Sequence, residues 1–195
     1  MNYELIVIGA SWGGLRAVSE LLGALPDDVD VPMVIAQHRR DQGGGLASLL
    51  ATRARFPVED AEDKQPIERG RIYVAPPDYH LLVQPGWFSL STDERVHHAR
   101  PSIDVLFQSA ADAYGDRLIG VILTGANEDG AAGLARVKEL GGVAVIQDPA
   151  SAERHEMPGA ALAATNAADA VLPLEEIAPF IHGLLLEPKP VRTAS

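Results

Sequence analysis

Leu5-Ile6-Val7-Ile8 runs without a break into Gly9-Ala10-Ser11-Trp12-Gly13-Gly14, and an amphipathic stretch from Leu15 to Leu25 follows. A short apolar run, a glycine turn and a helical period predict a buried strand, a sharp reversal and a helix. A strand that feeds a helix in this way belongs to an α/β sheet, and that limits what the rest of the chain can build. The glycines let the backbone turn tightly and let a ligand come close. Ser11 falls at the tip of the turn, where the free N–H groups of the next helix point.

Three readings of this turn stand side by side. Gly9-x-Ser11-x-Gly13 fits a nucleophile elbow, in which a serine is held exposed between a strand and a helix. A phosphate loop has the Gly9 to Gly14 spacing, but Leu15-Arg16 stands where that loop needs Lys and a hydroxyl. A dinucleotide loop needs glycine where Ser11 stands. The third reading is a glycine-rich turn with no ligand at all.

The same alternation continues along the chain. Residues 31–36 form a second apolar strand that ends at Gln37-His38, and 41–45 are a loop. Residues 46–54 have helical spacing, and 56–70 are polar and turn-rich, with Val58 in a short strand. Segments 71–75, 79–84 and 87–90, separated by Pro76-Pro77-Asp78 and Pro85-Gly86, predict an antiparallel meander. Ser102 caps a helix that reaches Tyr114, with Gly115 as its stop. A buried strand over 118–123 enters a second glycine-bearing turn, 124–130, and a helix over 131–140 follows. Further on come a strand at 143–147, a helix opened by Pro158, a short strand at 171–172 and a last helix over 174–186, with Pro179 counting against it. The expected fold is an α/β doubly wound, mostly parallel sheet with helices on both faces and a short antiparallel addition. One domain over residues 1–187 and a disordered tail over 188–195 are expected.

Composition narrows the function classes. A net charge of −11 disfavours a general nucleic-acid binder, whose phosphate contacts need a basic surface. Cysteine is absent, so disulfides, thiolate metal sites and a thiol nucleophile are excluded. No apolar run has membrane-spanning length and no signal-peptide pattern opens the chain. A cytoplasmic location is expected.

In doubly wound sheets, ligands bind beyond the carboxyl ends of the strands. Three such ends carry reactive side chains: Ser11, His38 and Asp129. A serine hydroxyl needs a base to become a nucleophile, histidine is suited to that task, and a carboxylate behind it fixes the tautomer. Backbone N–H groups near Trp12 and Gly13 are candidate oxyanion donors, with Ala126 nearby as a pocket residue. Each residue also has a plain structural use. His38 can close a strand on a carbonyl, Asp129 can cap the helix at Ala131, Asp148 can shape a turn before Pro149, and His80 can serve a strand. His97 and His98 lie in a charged loop, His155 and His182 lack partners at metal-ligand spacing, and Glu128 reads as solvated.

Taken together, Ile6 to Gly14, Gln37-His38, Ile72-Tyr73-Val74-Ala75-Pro76, Arg100 to Phe107, Gly120 to Gly125, Asp129 to Gly133 and Met157-Pro158 resemble the catalytic domain of CheB-type protein-glutamate methylesterases of bacterial chemosensory pathways. The resemblance covers nearly all of residues 4–180. It implies a serine–histidine–aspartate triad on Ser11, His38 and Asp129, with no metal or cofactor. It implies hydrolysis of glutamate γ-methyl esters on methylated chemoreceptor helices, releasing methanol, with deamidation of receptor glutamines as a second activity. The chain departs from the family pattern in three places. The first strand starts at Tyr3, so no receiver domain is expected before it, and a separate receiver or sensory protein is left as a partner. Ala126 and Asn127 stand where the family has Met and Gly. Arg39-Arg40 follows His38, where many members have Met-Pro. An esterase or amidase of the same fold acting on another substrate, and a non-catalytic module of a sensory complex, are the alternatives.

Overall fold

The structure, a computed structural model, describes residues 3–38 and 45–187. Arg39, Arg40, the glycine loop at 41–44 and the tail at 188–195 lie outside the described residues. Strand β1 (Leu5–Ala10) leads into helix α1 (Gly14–Ala24), β2 (Met33–Gln37), α2 (Leu46–Ala51), β3 (Val58–Asp60) and β4 (Ile72–Val74). The hairpin β5 (His80–Gln84) and β6 (Trp87–Ser91) follows, then α3 (Ile103–Tyr114) and β7 (Leu118–Ile122). The chain closes with α4 (Ala131–Glu139), β8 (Val143–Gln147), α5 (Glu156–Thr165), β9 (Ala170–Leu172) and α6 (Leu174–Leu186). Seven strands form a parallel sheet in the order β3-β4-β2-β1-β7-β8-β9, and β5-β6 stands apart as an antiparallel pair.

β1 occupies the centre, and all six of its residues are buried. Its side chains alternate between two cores. Ile6 and Ile8 pack toward α1, α2 and α6, while Leu5 and Val7 pack toward α3, α4, α5 and the hairpin. A strand covered on both faces has no solvent side, which is why its sequence is apolar without interruption. Each such Ile or Leu contributes about 1.5–3 kcal/mol through burial. The sheet leaves β1 toward β2 on one side and toward β7 on the other. That reversal of winding opens a crevice beyond the carboxyl ends of β1 and β7, the usual ligand position in this architecture.

Two local expectations change. The segment expected as the first strand of a meander is β4, which pairs in parallel with β2 and β3 inside the main sheet. Among the strands of the described residues, β5 and β6 are the antiparallel pair. The connection from β3 to β4 carries no helix among the described residues; it is held instead by the hairpin, through Ile67 N–H to Gly86 C=O and Phe88 N–H to Gln65 C=O, each 2.9 Å. Helix α5 starts at Glu156, two residues before Pro158, whereas α6 keeps the expected span with Pro179 inside it. No helix of the described residues is long and apolar enough to cross a membrane.

Candidate active site

Ser11 leaves the end of β1 between two neighbouring strands. Its N–H donates to Thr124 C=O at 3.0 Å, and His38 N–H donates to Ala10 C=O at 3.1 Å. Ala10 pairs with Gln37 in the β1–β2 register, so Ser11 and His38 are the next positions, side by side. Gly13 takes φ +75°, a left-handed geometry that turns the chain into α1, and Gly14 N–H closes the turn on Ser11 C=O at 2.9 Å. Thr124 Oγ1 donates to Trp12 C=O at 3.0 Å, which ties the serine turn to the end of β7.

Asp129 lies on the loop after β7 and is wholly buried. It does not cap the helix that follows it; α4 has Gly130 as N-cap, with no side-chain bond. Its carboxylate turns to the start of α3 instead. Oδ1 accepts from Ser102 Oγ at 2.8 Å and from Asp104 N–H at 3.0 Å, and Oδ2 accepts from Ile103 N–H at 2.8 Å. His38 Nε2 meets the same Oδ2 at 2.8 Å. Burial alone would push this carboxyl up, but the His38 bond and the backbone donors of Asp104 and Ile103 outweigh it and hold it below the usual carboxylate range. An ionised Asp129 accepts only, so His38 carries its proton on Nε2 and keeps a lone pair on Nδ1. Asn127 Nδ2 lies 3.3 Å from that Nδ1. Among the described residues Ser11 Oγ has no hydrogen-bond partner.

Asp104 mirrors Asp129. Its Oδ1 accepts from Gly130 N–H at 2.9 Å and Gly133 N–H at 2.7 Å. Burial raises its pKa, backbone donation from Gly133 works against that, and the nearby Asp129 charge adds to the rise. His97 Nε2 reaches Asp104 Oδ2 at 3.3 Å, from a turn in which His97 and His98 both take positive φ. His97, Asp104 and Asp129 hold metal-ligand atoms within 4.8 Å of one another. Both Asp129 oxygens and one of Asp104 already accept from N–H or O–H groups, and a cation would have to displace those donors.

The other predicted residues fall as follows. Trp12 is 45 % exposed, donates from Nε1 to Glu153 Oε1 at 3.1 Å and lies under the Arg154 guanidinium. Ala126 is exposed on the β7–α4 loop. His80 is structural: its Nδ1 accepts from Ser102 N–H at 3.2 Å and its Nε2 donates to Glu94 C=O at 2.9 Å. Asp148 shapes its turn, with Oδ1 accepting from Ala150 N–H at 2.9 Å. Glu128 is exposed but stands 3.5 Å from His97 Nδ1. A pocket of about 490 Å³ opens beside Asn127, bounded by His97, His98, Glu128 and Glu156.

The sequence pattern of the family described as CheB methylesterase matches residues 6–181. The chain belongs to the CheB methylesterase family. A Leptospira interrogans relative is 51 % identical over 180 residues, covering 91 % of this chain and 93 % of the relative. The Hahella chejuensis protein named protein-glutamate methylesterase/protein-glutamine glutaminase 1 is 46 % identical over 181 residues, 90 % of this chain and 49 % of that one. The chain thus spans about half the length of the Hahella relative, and nearly the whole of the Leptospira one. The crystal structure of the Thermotoga maritima CheB methylesterase catalytic domain superposes with a TM-score of 0.87 at 32 % identity, over 93 % of this chain and 98 % of that one. The CheB fold explains the doubly wound sheet and its separate hairpin. Sequence reasoning overlooked the parts of the site that hold Asp129 in place. Ser102 was legible only as a cap and Asp104 only as part of the Arg100 to Phe107 block; Glu153, which holds the Trp12 indole, was not legible at all.

Proposed function

We propose that this chain is a carboxylic ester hydrolase acting on glutamate γ-methyl esters of chemoreceptors in the cytoplasm, with receptor glutamines as alternative substrates. The observation that carries the reading is the state of His38. Nε2 is committed to Asp129, which leaves Nδ1 as the basic nitrogen, 3.3 Å from Asn127 Nδ2, and His38 stands on the strand end beside that of Ser11. Nδ1 takes the Ser11 proton as Oγ attacks the γ-carbonyl carbon, and the negative charge moves to the carbonyl oxygen. Gly13 N–H, at the mouth of α1, is the donor proposed for that oxyanion. The imidazolium formed on His38 is stabilised by the buried Asp129 charge. It then gives its proton to the leaving methoxy oxygen, so methanol departs and a glutamyl ester on Ser11 remains. Water attacks that ester with His38 again as base, and glutamate and free Ser11 are restored.

The test is methanol release from a methylated cytoplasmic fragment of a chemoreceptor, with the wild type beside Ser11→Ala and a fluorophosphonate probe as a label for Ser11. Release by the wild type alone, with labelling lost in the variant, is the expected result. Equal release from both would remove Ser11 from the mechanism. Labelling without release would overturn the substrate assignment.

A further inference from the structure

Asn127 is the one side chain among the described residues that shares the working nitrogen of His38. Its Nδ2 lies 3.3 Å from Nδ1. Its Oδ1 is buried and has no hydrogen-bond partner among the described residues. The loop does not demand this residue for its backbone, since Asn127 is not among the residues with positive φ. An acceptor screened from water and left unpaired is costly unless something supplies a donor during the working cycle.

That donor can be identified from where the leaving group stands. Nδ1 hands its proton to the departing atom, so that atom passes within hydrogen-bond distance of Nδ1 and therefore close to the Asn127 amide. Once Nδ1 is protonated it no longer accepts from Nδ2, and the amide is released to turn its oxygen toward the reacting centre. An ester presents a methoxy group there, which has no hydrogen to donate. A glutamine presents an amide nitrogen, which does. We infer that Asn127 is a specificity-determining residue that reads the leaving group and raises the site's activity on glutamine side chains relative to glutamate methyl esters. This inference rests on the reading of Ser11 and His38 given above. In the deamidation reaction the bond from Ser11 Oγ to the γ-carbon forms and the C–N bond breaks. The Ser11 proton travels through Nδ1 to the leaving nitrogen, which departs as ammonia. Water then supplies the hydroxyl of the product glutamate and returns a proton to Ser11.

The experiment uses two forms of one cytoplasmic chemoreceptor fragment, with glutamine or glutamate γ-methyl ester at the same position. Ammonia and methanol release are measured as kcat/KM for the wild type, Asn127→Leu, Asn127→Gly and Asn127→Asp. A site that hydrogen-bonds a substrate N–H discriminates against an analogue without one, so Leu and Gly should lower the ammonia-to-methanol ratio about three- to tenfold. Asp, which keeps an acceptor oxygen, should retain most of the ratio. A merely structural role for Asn127 would scale both rates together. An unchanged ratio in Leu and Gly, with both activities present, overturns this inference and leaves the hydrolase reading standing. Neither activity in the wild type overturns both.

Discussion

Asp104 and Asp129 each hold the start of the helix next to the other. Asp129 ends the loop that enters α4, yet its carboxylate accepts from Ile103 and Asp104 N–H at the start of α3. Asp104 lies in the first turn of α3, yet its carboxylate accepts from Gly130 and Gly133 N–H at the start of α4. The two helix N-termini, each with partial positive charge, are thereby locked together by two buried carboxyl groups. The pair fixes where Asp129 Oδ2 points, and that oxygen fixes the His38 ring.

The first prediction concerns Asp129→Asn. Asp129 accepts from Ser102 Oγ, two backbone N–H groups and His38 and donates nothing. An amide puts an NH2 group against at least one of those donors. It also removes the charge that favours the imidazolium and the tautomer that keeps Nδ1 unprotonated. Methanol release should fall about 10³–10⁴-fold, the scale of losing the carboxylate behind a catalytic histidine. Urea unfolding should show a loss of about 1–3 kcal/mol from the unpaired donor. A variant that is fully stable and merely tenfold slower would contradict the network described.

The second prediction is that the two carboxylates act on stability with opposite signs as pH changes. Asp129 is held below the ordinary value of 3.8 in the folded chain. The unfolded chain then binds more protons between those two values, so this group's stabilisation is present above 3.8 and is lost as pH falls through the folded value. Asp104 is raised above 3.8 by burial. There the folded chain binds more protons, so stability falls as pH rises from 3.8 through the raised value. Asp104→Asn keeps an acceptor oxygen for Gly130 and Gly133 and removes the titration. Urea unfolding between pH 3 and 7 should therefore show the wild type losing stability relative to Asp104→Asn as pH rises above 3.8. A constant difference across that range would overturn the assignment.

What the sequence made legible was local. The strand, turn and helix around Ser11 follow from one apolar run and its glycines, and Ser102 accepts from Val105 N–H as a cap should. What it hid was pairing between distant segments. Ile72-Tyr73-Val74 has strand chemistry in any sheet. Its place in the parallel sheet is decided by β2 and β3, which it meets only in the folded chain. Asp129 likewise stands one residue before a helix N-cap and offers the sequence reader an ordinary cap. Its true partners are about 25 residues upstream, on α3. Positions of strand ends can be read from periodicity, which is why Ser11, His38 and Asp129 stood out. The supports behind them depend on packing that no local window contains.

A third prediction tests one of those supports. His80, in the hairpin, is 2 % exposed and joins Glu94 C=O to Ser102 N–H, and Ser102 in turn donates to Asp129. His80→Leu keeps bulk in the same space but strands a buried donor and an acceptor. Unfolding free energy should drop by about 2–4 kcal/mol if each unpaired group costs its usual penalty. The loss of methanol release should be far smaller than in Asp129→Asn, because Asp129 retains its two backbone donors. A variant that unfolds like the wild type would separate the hairpin from the site.

The last prediction concerns Gly13, where backbone geometry and chemistry coincide. Its φ of +75° is what turns β1 into α1, and a β-carbon there would lie 2.8 Å from Glu153 Oε2. The glutamate is the end of a flexible side chain and can move aside, although it would then release the Trp12 indole that it holds at 3.1 Å. The left-handed backbone cannot be relieved so easily, and an L-residue there costs about 1–2 kcal/mol. Gly13→Ala therefore has two routes open: to keep the turn under strain, or to relax φ and swing its N–H away from the oxyanion position. The first lowers stability and leaves turnover near normal. The second spares stability and lowers kcat by up to about 10²–10³-fold, the scale of losing one oxyanion donor. With Gly13 N–H as that donor, turnover should fall whenever unfolding is unaffected. A Gly13→Ala chain with both wild-type stability and wild-type kcat would take the Gly13 N–H out of the mechanism.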